Sequence, residues 1–162
     1  MATANNFPKP FPRGIALEVR DHCLCFATQR AARELARRFD RAFADLGITN
    51  GQFSMMTAMG GMGGPKLGDL ARFMGMDHAT VTAAVRKLEK RGLVTVAEDG
   101  KDRRARRVSL TTDGAVTIER AVLVWRVEHL KMALEFGETE VPELRAQLMR
   151  FGPELEKPAE AA

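Results

Sequence analysis

Apolar residues recur at spacings of about three and four along residues 17–46, and arginines occupy many of the positions between them. This period is typical of an amphipathic helix, so the pattern predicts one long helix over that range. Gly47 follows at the position of a helix C-cap. The apolar stripe consists of Leu24, Ala27, Ala31, Leu35, Phe39 and Leu46.

A second helix is predicted to begin after Thr49, because Gln52 three residues later completes a capping box. It ends at Gly60 and Gly61, and the glycine-rich residues 60–65 cannot hold a helix at low cost. We therefore expect a loop between two modules there.

Two further short helices are predicted beyond this loop. The first covers residues 67–74, with Leu70 and Phe73 pointing inward. Asp77 is a good N-cap for the second, over about residues 78–91. The apolar stripe of this second helix is Val81, Ala84, Val85 and Leu88.

A β-hairpin and two more helices complete the predicted elements. Residues 93–97 and 108–110 are β-prone and flank a charged turn, which indicates a hairpin. Thr111 and Thr112 precede a long helix to about residue 136, and a last helix covers about residues 140–151.

This order of elements is that of a winged helix-turn-helix, so the fold class is mainly α with a small β-hairpin. The first and last predicted helices carry more apolar residues than one small module can bury, so they would form a helical dimerisation region. The residues predicted to meet a partner subunit are Leu24, Ala31, Leu35, Leu144 and Leu148. The predicted domains are a flexible N-terminal arm at 1–16, a helical dimerisation region at 17–62 and 112–152, the winged helix-turn-helix at 63–111, and a tail at 153–162.

The second helix of such a module can enter the major groove of DNA. Its core-facing stripe leaves the opposite face free, with hydroxyls, a methyl and two cations that can contact bases or phosphates. The predicted DNA-contacting residues of this helix are Thr80, Thr82, Ala83, Arg86 and Lys87. The alternative for this face is an exposed surface of a protein-interaction domain.

The charge distribution supports a polyanion partner. The net charge of the whole chain is only +4, but residues 66–111 hold 11 basic and six acidic residues, a net charge of +5. The hairpin concentrates these cations, and Arg103, Arg104 and Arg106 are its predicted DNA contacts. Asp102 would pair with a nearby arginine and orient the wing. The alternative is a solvated hairpin tip with a local ion pair.

Composition excludes several classes of protein. Apolar residues make up 45% of the chain, which excludes a disordered protein, and no stretch approaches the length of a membrane-spanning helix. The first 14 residues lack the apolar core of a secretory signal, so we expect a cytoplasmic protein. Three scattered histidines and two cysteines indicate no metal site, no cofactor and no catalytic site.

These residues resemble the MarR family of bacterial transcription regulators. The resemblance rests on Leu70-Ala71, Met76-Asp77, Thr80-Val81-Thr82, Leu88-Glu89, Gly92-Leu93-Val94, Asp102-Arg103-Arg104 and Leu110-Thr111-Thr112-Asp113-Gly114. It implies a homodimer on a pseudo-palindromic operator, usually a repressor released by a small ligand or by oxidation. The family often has an arginine where this chain has Ala83, so the operator sequence cannot be inherited.

The segment Leu24-Cys25-Phe26-Ala27 resembles the organic-hydroperoxide-sensing branch of the family, in which this cysteine is the sensor. Tyrosines bind the sulfur in that branch, whereas this chain has no tyrosine and has Phe39 at one such place. Two interpretations stay open for Cys25: a small apolar residue at a helix interface, or a redox-active thiol.

The family also implies an effector cleft between the first two helices and the DNA module. Thr28, Phe53, Met56 and Met59 are the candidates for lining it, because methionine side chains adapt to varied ligands. An aromatic or carboxylate effector would suit such a cleft. The alternative is that the methionines are plain core.

Overall fold

The computed structural model describes residues 11–100, 102 and 104–151. These residues fall into two compact units, residues 11–37 and residues 38–151. The helices are α1 (Arg13–His22), α2 (Leu24–Ala42), α3 (Asn50–Gly61), α4 (Leu67–Met74), α5 (His78–Lys90), α6 (Thr112–Phe136) and α7 (Glu140–Met149), and the strands are β1 (Val94–Glu98) and β2 (Arg106–Leu110). The predicted fold class, mainly α with one β-hairpin, is confirmed.

The first predicted helix is two helices, so the prediction of one helix over residues 17–46 was wrong. Cys23 has an extended backbone (φ −79°, ψ 107°) and separates α1 from α2. Its Sγ accepts a hydrogen bond from the backbone N–H of Phe26 at 3.4 Å, as an N-cap side chain does. The apolar period is unaffected by this break, which is why the pattern did not reveal it.

The helical region begins earlier and α2 ends earlier than expected. Helix α1 begins at Arg13, so residues 13–16 of the expected arm are helical, while residues 1–10 lie outside the described chain. Helix α2 ends at Ala42, and a 3₁₀ turn at Ala44–Leu46 leads to Gly47 in the left-handed conformation (φ 65°). The predicted tail at 153–162 also lies outside the described residues.

The core of the larger unit extends from the end of α2 to α6. The capping box predicted for α3 is present, since Thr49 Oγ1 and the Gln52 side chain each accept the other's backbone N–H. The ring centroids of Phe43 and Phe53 lie 4.8 Å apart, which is a normal aromatic packing distance. Around them, α3 contributes Met55, Met56 and Met59, all buried.

The helix-turn-helix is built by packing α4 against α5. Val81, Val85 and Leu88 of α5 are fully buried, as is Leu70 of α4, and these predictions are confirmed. Phe73 was expected inside, but its side chain is 40% exposed. The inward face of α4 is Leu67, Leu70 and Ala71. Phe73 lies about 200° around the helix from Ala71, beyond the edge of that face.

The hairpin pairs β1 with β2 in antiparallel register, from Val94 opposite Leu110 to Glu98 opposite Arg106. Helix α6 begins directly after the hairpin. Thr111 donates its N–H to Leu93 O at 3.1 Å, and its hydroxyl oxygen caps α6 by accepting the Gly114 N–H. A Cβ on Gly114 would lie 1.9 Å from that same Leu93 oxygen. Only glycine therefore allows this close approach of α6 to the hairpin.

Candidate nucleic-acid interface

Asp77 sets the start of α5. Its Oδ1 accepts the Thr80 N–H at 2.8 Å and its Oδ2 accepts the Thr80 hydroxyl at 2.5 Å. These two bonds, the hydroxyl bond first, hold the pKa of Asp77 below its ordinary value. The carboxylate is therefore ionised at neutral pH and anchors the first turn of the helix.

The threonine hydroxyls on α5 are already engaged within the helix. Thr80 donates to Asp77, and Thr82 Oγ1 donates to the backbone carbonyl of His78 at 2.7 Å. Each hydroxyl proton is thus committed, so both side chains present a methyl group and oxygen lone pairs outward. This arrangement suits contacts to base donors and thymine methyls better than contacts to phosphates.

The outward face of α5 is otherwise small or cationic. Thr80, Ala83, Arg86 and Lys87 are exposed, and Thr82 is half-buried. Neither Arg86 nor Lys87 forms an ion pair with a described residue. Both cations are available for an anionic partner.

The wing arginines have different environments. Arg104 is exposed in the turn, and Arg106 pairs with Glu98 across the hairpin at 2.9 Å, with both side chains about half-exposed. An exposed ion pair of this kind is weak and can be exchanged for a phosphate. Arg103 and Lys101 lie outside the described residues.

Asp102 contacts the backbone of the hairpin turn. Its carboxylate accepts the N–H of Arg104 at 3.0 Å, which shapes the turn, whereas a pairing with an arginine side chain was expected. A buried carboxylate of the hairpin, Asp99, is 2% exposed and accepts from Arg107 Nε. No sequence pattern singles out Asp99 as buried, because its neighbours are charged turn residues.

Helix α5 and the hairpin line one groove of about 280 Å³. Thr82 and Arg86 line it from α5, and Val96 and Arg106 line it from the hairpin. The structure thus brings three of the predicted DNA-contacting residues to one concave surface.

Comparison with known proteins identifies the family. The sequence profile of the MarR family matches residues 46–105, from the turn before α3 to the wing. The crystal structure of the M. tuberculosis transcriptional regulator MosR in complex with DNA is 31% identical, with a TM-score of 0.70 over 80% of this chain and 95% of that chain. The chain belongs to the MarR family.

Two further relatives are transcriptional regulators. The organic hydroperoxide resistance transcriptional regulator of Bacillus subtilis is 27% identical over 99 residues, which are 61% of this chain and 67% of that protein. The transcriptional activatory protein BadR of Rhodopseudomonas palustris is 31% identical over 94 residues, which are 56% of this chain and 54% of that protein.

Three of the four residues expected to line an effector pocket have buried side chains in the larger unit. Phe53, Met56 and Met59 are buried in the core of the larger unit, with Met56 fully enclosed. Thr28 belongs to the other unit, where its hydroxyl donates to Leu24 O at 2.6 Å. Met56 and Met59 lie on α3 and belong to the same buried hydrophobic cluster as residues of neighbouring elements, which no local sequence pattern indicates.

The two cysteines of the chain have different exposures. Cys23, at the break between α1 and α2, is half-buried, whereas Cys25 on α2 is exposed. No described residue forms a hydrogen bond with Cys25 Sγ. The interpretation of Cys25 as a packed apolar residue therefore gains no support within the described chain.

Neither a metal site nor a membrane span occurs in the described part of this chain. Its His, Cys, Asp and Glu side chains form no group of three or more that could hold a metal ion. None of the described helices combines the length and the apolar character needed to cross a bilayer.

Proposed function

We propose that this MarR-family protein is a transcriptional repressor that binds a pseudo-palindromic operator as a homodimer. The observation that carries the proposal is the groove that Thr82 and Arg86 of α5 share with Arg106 of the wing. Such a groove places a helix for the major groove beside a cationic hairpin for the adjacent minor groove. A regulator of this kind acts by binding rather than by catalysis, in the cytoplasm where the chromosome lies.

The residue roles follow from chemistry. Thr80, Thr82 and Ala83 offer methyls and acceptors to base edges, and Arg86 and Lys87 offer donors to guanines or phosphates. In the wing, Arg103, Arg104 and Arg106 would contact the DNA backbone and one minor groove, and Asp102 would hold the turn that presents them.

Dimer formation is supported by apolar surface that the single chain leaves exposed. Helix α6 has a stripe with spacings of seven, four, three and four, and its last two members are 63% and 75% exposed. We call Val116, Leu123, Val127, Leu130 and Leu134 the α6 stripe. A stripe of this period packs against a second helix, and an isologous pair of chains supplies one.

Exposed apolar residues on other helices fit the same interpretation. Leu24 and Leu35 of α2 are exposed, as are Leu144 and Leu148 of α7. All four were predicted to meet a partner subunit, together with Ala31. We propose residues 17–62 and 112–152 as the dimerisation region on this basis, and residues 63–111 as the DNA-binding module.

DNA binding is tested by fluorescence anisotropy with random duplex DNA and with the region upstream of the protein's own gene. We expect affinity for random duplex that falls steeply with salt, and tighter binding to one palindromic sequence. Absence of binding at 50 mM salt would overturn the proposal.

We further propose that a small aromatic or carboxylate effector releases the repressor. One relative, BadR, is named an activatory protein, so the direction of regulation is tested separately. A reporter gene behind the operator distinguishes the two: repression predicts higher expression when the gene for this protein is deleted, and activation predicts lower expression.

A thiol-based repressor is the second candidate, and one observation favours it. Cys25 is exposed, so a hydroperoxide can reach the sulfur, and the Bacillus subtilis relative is named for organic hydroperoxide resistance. Against it stands the lack of any described hydrogen-bond donor to that sulfur, because a thiolate needs donors or cations nearby.

A further inference from the structure

Arg107 belongs to the basic run of the wing but makes its contacts away from the wing tip. Its Nε donates to Asp99 Oδ2, and its Nη1 donates to the backbone carbonyl of Gly64 at 2.7 Å. Gly64 lies in the loop between α3 and α4, 43 positions earlier in the chain. One guanidinium therefore joins the hairpin to a distant loop.

Asp99 is the partner that makes this contact strong. Its side chain is 2% exposed, and its Oδ1 accepts the N–H of Asp102 at 2.9 Å. Its own N–H donates to Ala105 O at 3.0 Å, across the wing turn. A buried carboxylate needs such bonds, and breaking a charge-assisted pair is costly. Asp99 thus ties the turn to strand β2.

Backbone contacts also join the loop after α3 to strand β2. Val108 N–H donates to Pro65 O at 3.0 Å, and Lys66 forms an isolated antiparallel bridge with Arg107. Gly64 has φ 81°, and a Cβ there would lie 2.8 Å from Ser109 Oγ. The loop after α3 therefore lies closely along β2, and these contacts fix the position of β2 relative to that loop.

We propose that Asp99 and Arg107 are positioning residues for DNA binding. Together with the Gly64 carbonyl they form a group of contacts that we call the clamp. The clamp holds the wing at the angle at which Arg104 and Arg106 reach the DNA. This inference rests on the proposed function. It separates Arg107 from the arginines beside it in sequence, because its Nε and Nη1 already donate to a buried carboxylate and to a backbone carbonyl.

The substitution Asp99→Asn tests the clamp by whether it raises or lowers the affinity for DNA. Removing a negative charge from a DNA-binding wing should strengthen binding if charge alone matters. Loss of the clamp should instead weaken operator binding by about tenfold, since hydrogen bonds to charged groups are strong. Glu98→Gln is the matched control: it removes the same charge one residue earlier at an exposed site, and we expect equal or tighter binding.

The substitution Arg107→Ala tests the clamp by salt dependence. A positioning residue should lower affinity while leaving the slope of log affinity against log salt near the wild-type value. A phosphate contact, as expected for Arg104→Ala, should reduce that slope by about one. Arg107→Lys keeps the charge but lacks the two-pronged donor geometry, so it should also weaken binding without changing the slope.

Thermal melting and amide hydrogen exchange show whether each variant folds. We expect faster exchange than in the wild type at the amides of Val108 and Arg104, and unchanged protection from exchange in the helices. If Asp99→Asn does not fold, Arg107→Lys decides. Binding by Asp99→Asn or Arg107→Lys at wild-type strength, or a slope reduced by one in Arg107→Ala, overturns the clamp. Failure of the wild type to bind DNA at all would instead overturn the proposed function.

Discussion

At the scale of single residues, neighbouring arginines of the wing differ in what they already bind. Arg104 is exposed in the turn, and Arg106 forms an exposed, weak ion pair with Glu98. We expect Arg104→Ala and Arg106→Ala each to weaken operator binding and to lower the log–log salt slope by about one.

Anisotropy titrations at four or more salt concentrations measure this slope. Arg145→Ala, an exposed cation on α7, serves as the control and should leave the slope unchanged. If one wing variant also loses preference for A·T-rich flanks, that arginine enters the minor groove. Unchanged slopes in both variants would remove the wing from the interface.

Cys25 provides a second test at this scale. If the thiol is not a sensor, Cys25→Ser should bind DNA as the wild type does, and hydroperoxide should affect neither protein. A sensor thiol predicts release of the wild type at stoichiometric peroxide while Cys25→Ser stays bound. We expect the first result, because no described donor reaches Cys25 Sγ. The same titration of Cys23→Ser shows whether the other thiol contributes to release from DNA by hydroperoxide.

At the scale of elements, two glycines at helix starts should respond in opposite ways to alanine. A Cβ at Gly114 in α6 would lie 1.9 Å from Leu93 O, whereas a Cβ at Gly68 in α4 meets nothing within 4 Å. We expect Gly114→Ala to destabilise the fold by about 3 kcal/mol through overpacking. Gly68→Ala should stabilise it by about 0.5 kcal/mol through helix propensity.

Urea denaturation of both variants at one protein concentration gives these values, because dimer stability depends on concentration. Equal effects of the two substitutions would contradict the close approach of α6 to the hairpin.

The ion pairs between the end of α2 and α6 predict an acid transition. Arg38 pairs with Glu128 at 3.0 Å and with Glu135 at 2.6 Å. Lys131 first and Arg38 second lower the pKa of Glu128 below its ordinary value of 4.5, and Arg38 lowers the pKa of Glu135. A carboxylate whose pKa is lower in the folded state stabilises the fold fully above its unfolded-state pKa. This stabilisation is lost as the pH falls from that value through the folded-state pKa.

Thermal melting from pH 7 to pH 3 should therefore show a stability loss that begins near pH 4.5. In Arg38→Ala the part of that loss due to Glu128 and Glu135 should be smaller. Arg41→Ala changes an exposed arginine of the same helix and should keep the wild-type pH profile. Identical profiles for Arg38→Ala and the wild type would show that these pairs contribute nothing.

At the scale of the whole molecule, the α6 stripe predicts the oligomeric state. We expect light scattering to give twice the chain mass of 17.9 kDa at micromolar concentration. Leu130→Glu places a charge in the middle of the stripe and should yield monomers with much weaker operator binding. Leu130→Met keeps the apolar surface and should remain dimeric. A wild-type monomer, or a dimer of Leu130→Glu, would contradict this surface as the interface.

The sequence by itself determined the elements whose signals are local. The caps at Thr49 and Asp77 placed the starts of α3 and α5, and Gly60 and Gly61 placed the end of α3, each within one residue or so. The order of α4, α5 and the hairpin was enough to identify a winged helix-turn-helix. These features were readable because each depends on residues within one helical turn of each other.

The tertiary structure decided which side chains meet across the chain. The clamp joins Arg107 to a carbonyl 43 positions away, and the core encloses the methionines expected at an effector pocket. The apolar period could not distinguish an exposed stripe on α6 from a buried one. Burial of a side chain depends on which distant element packs over it, and a one-dimensional pattern carries no such information.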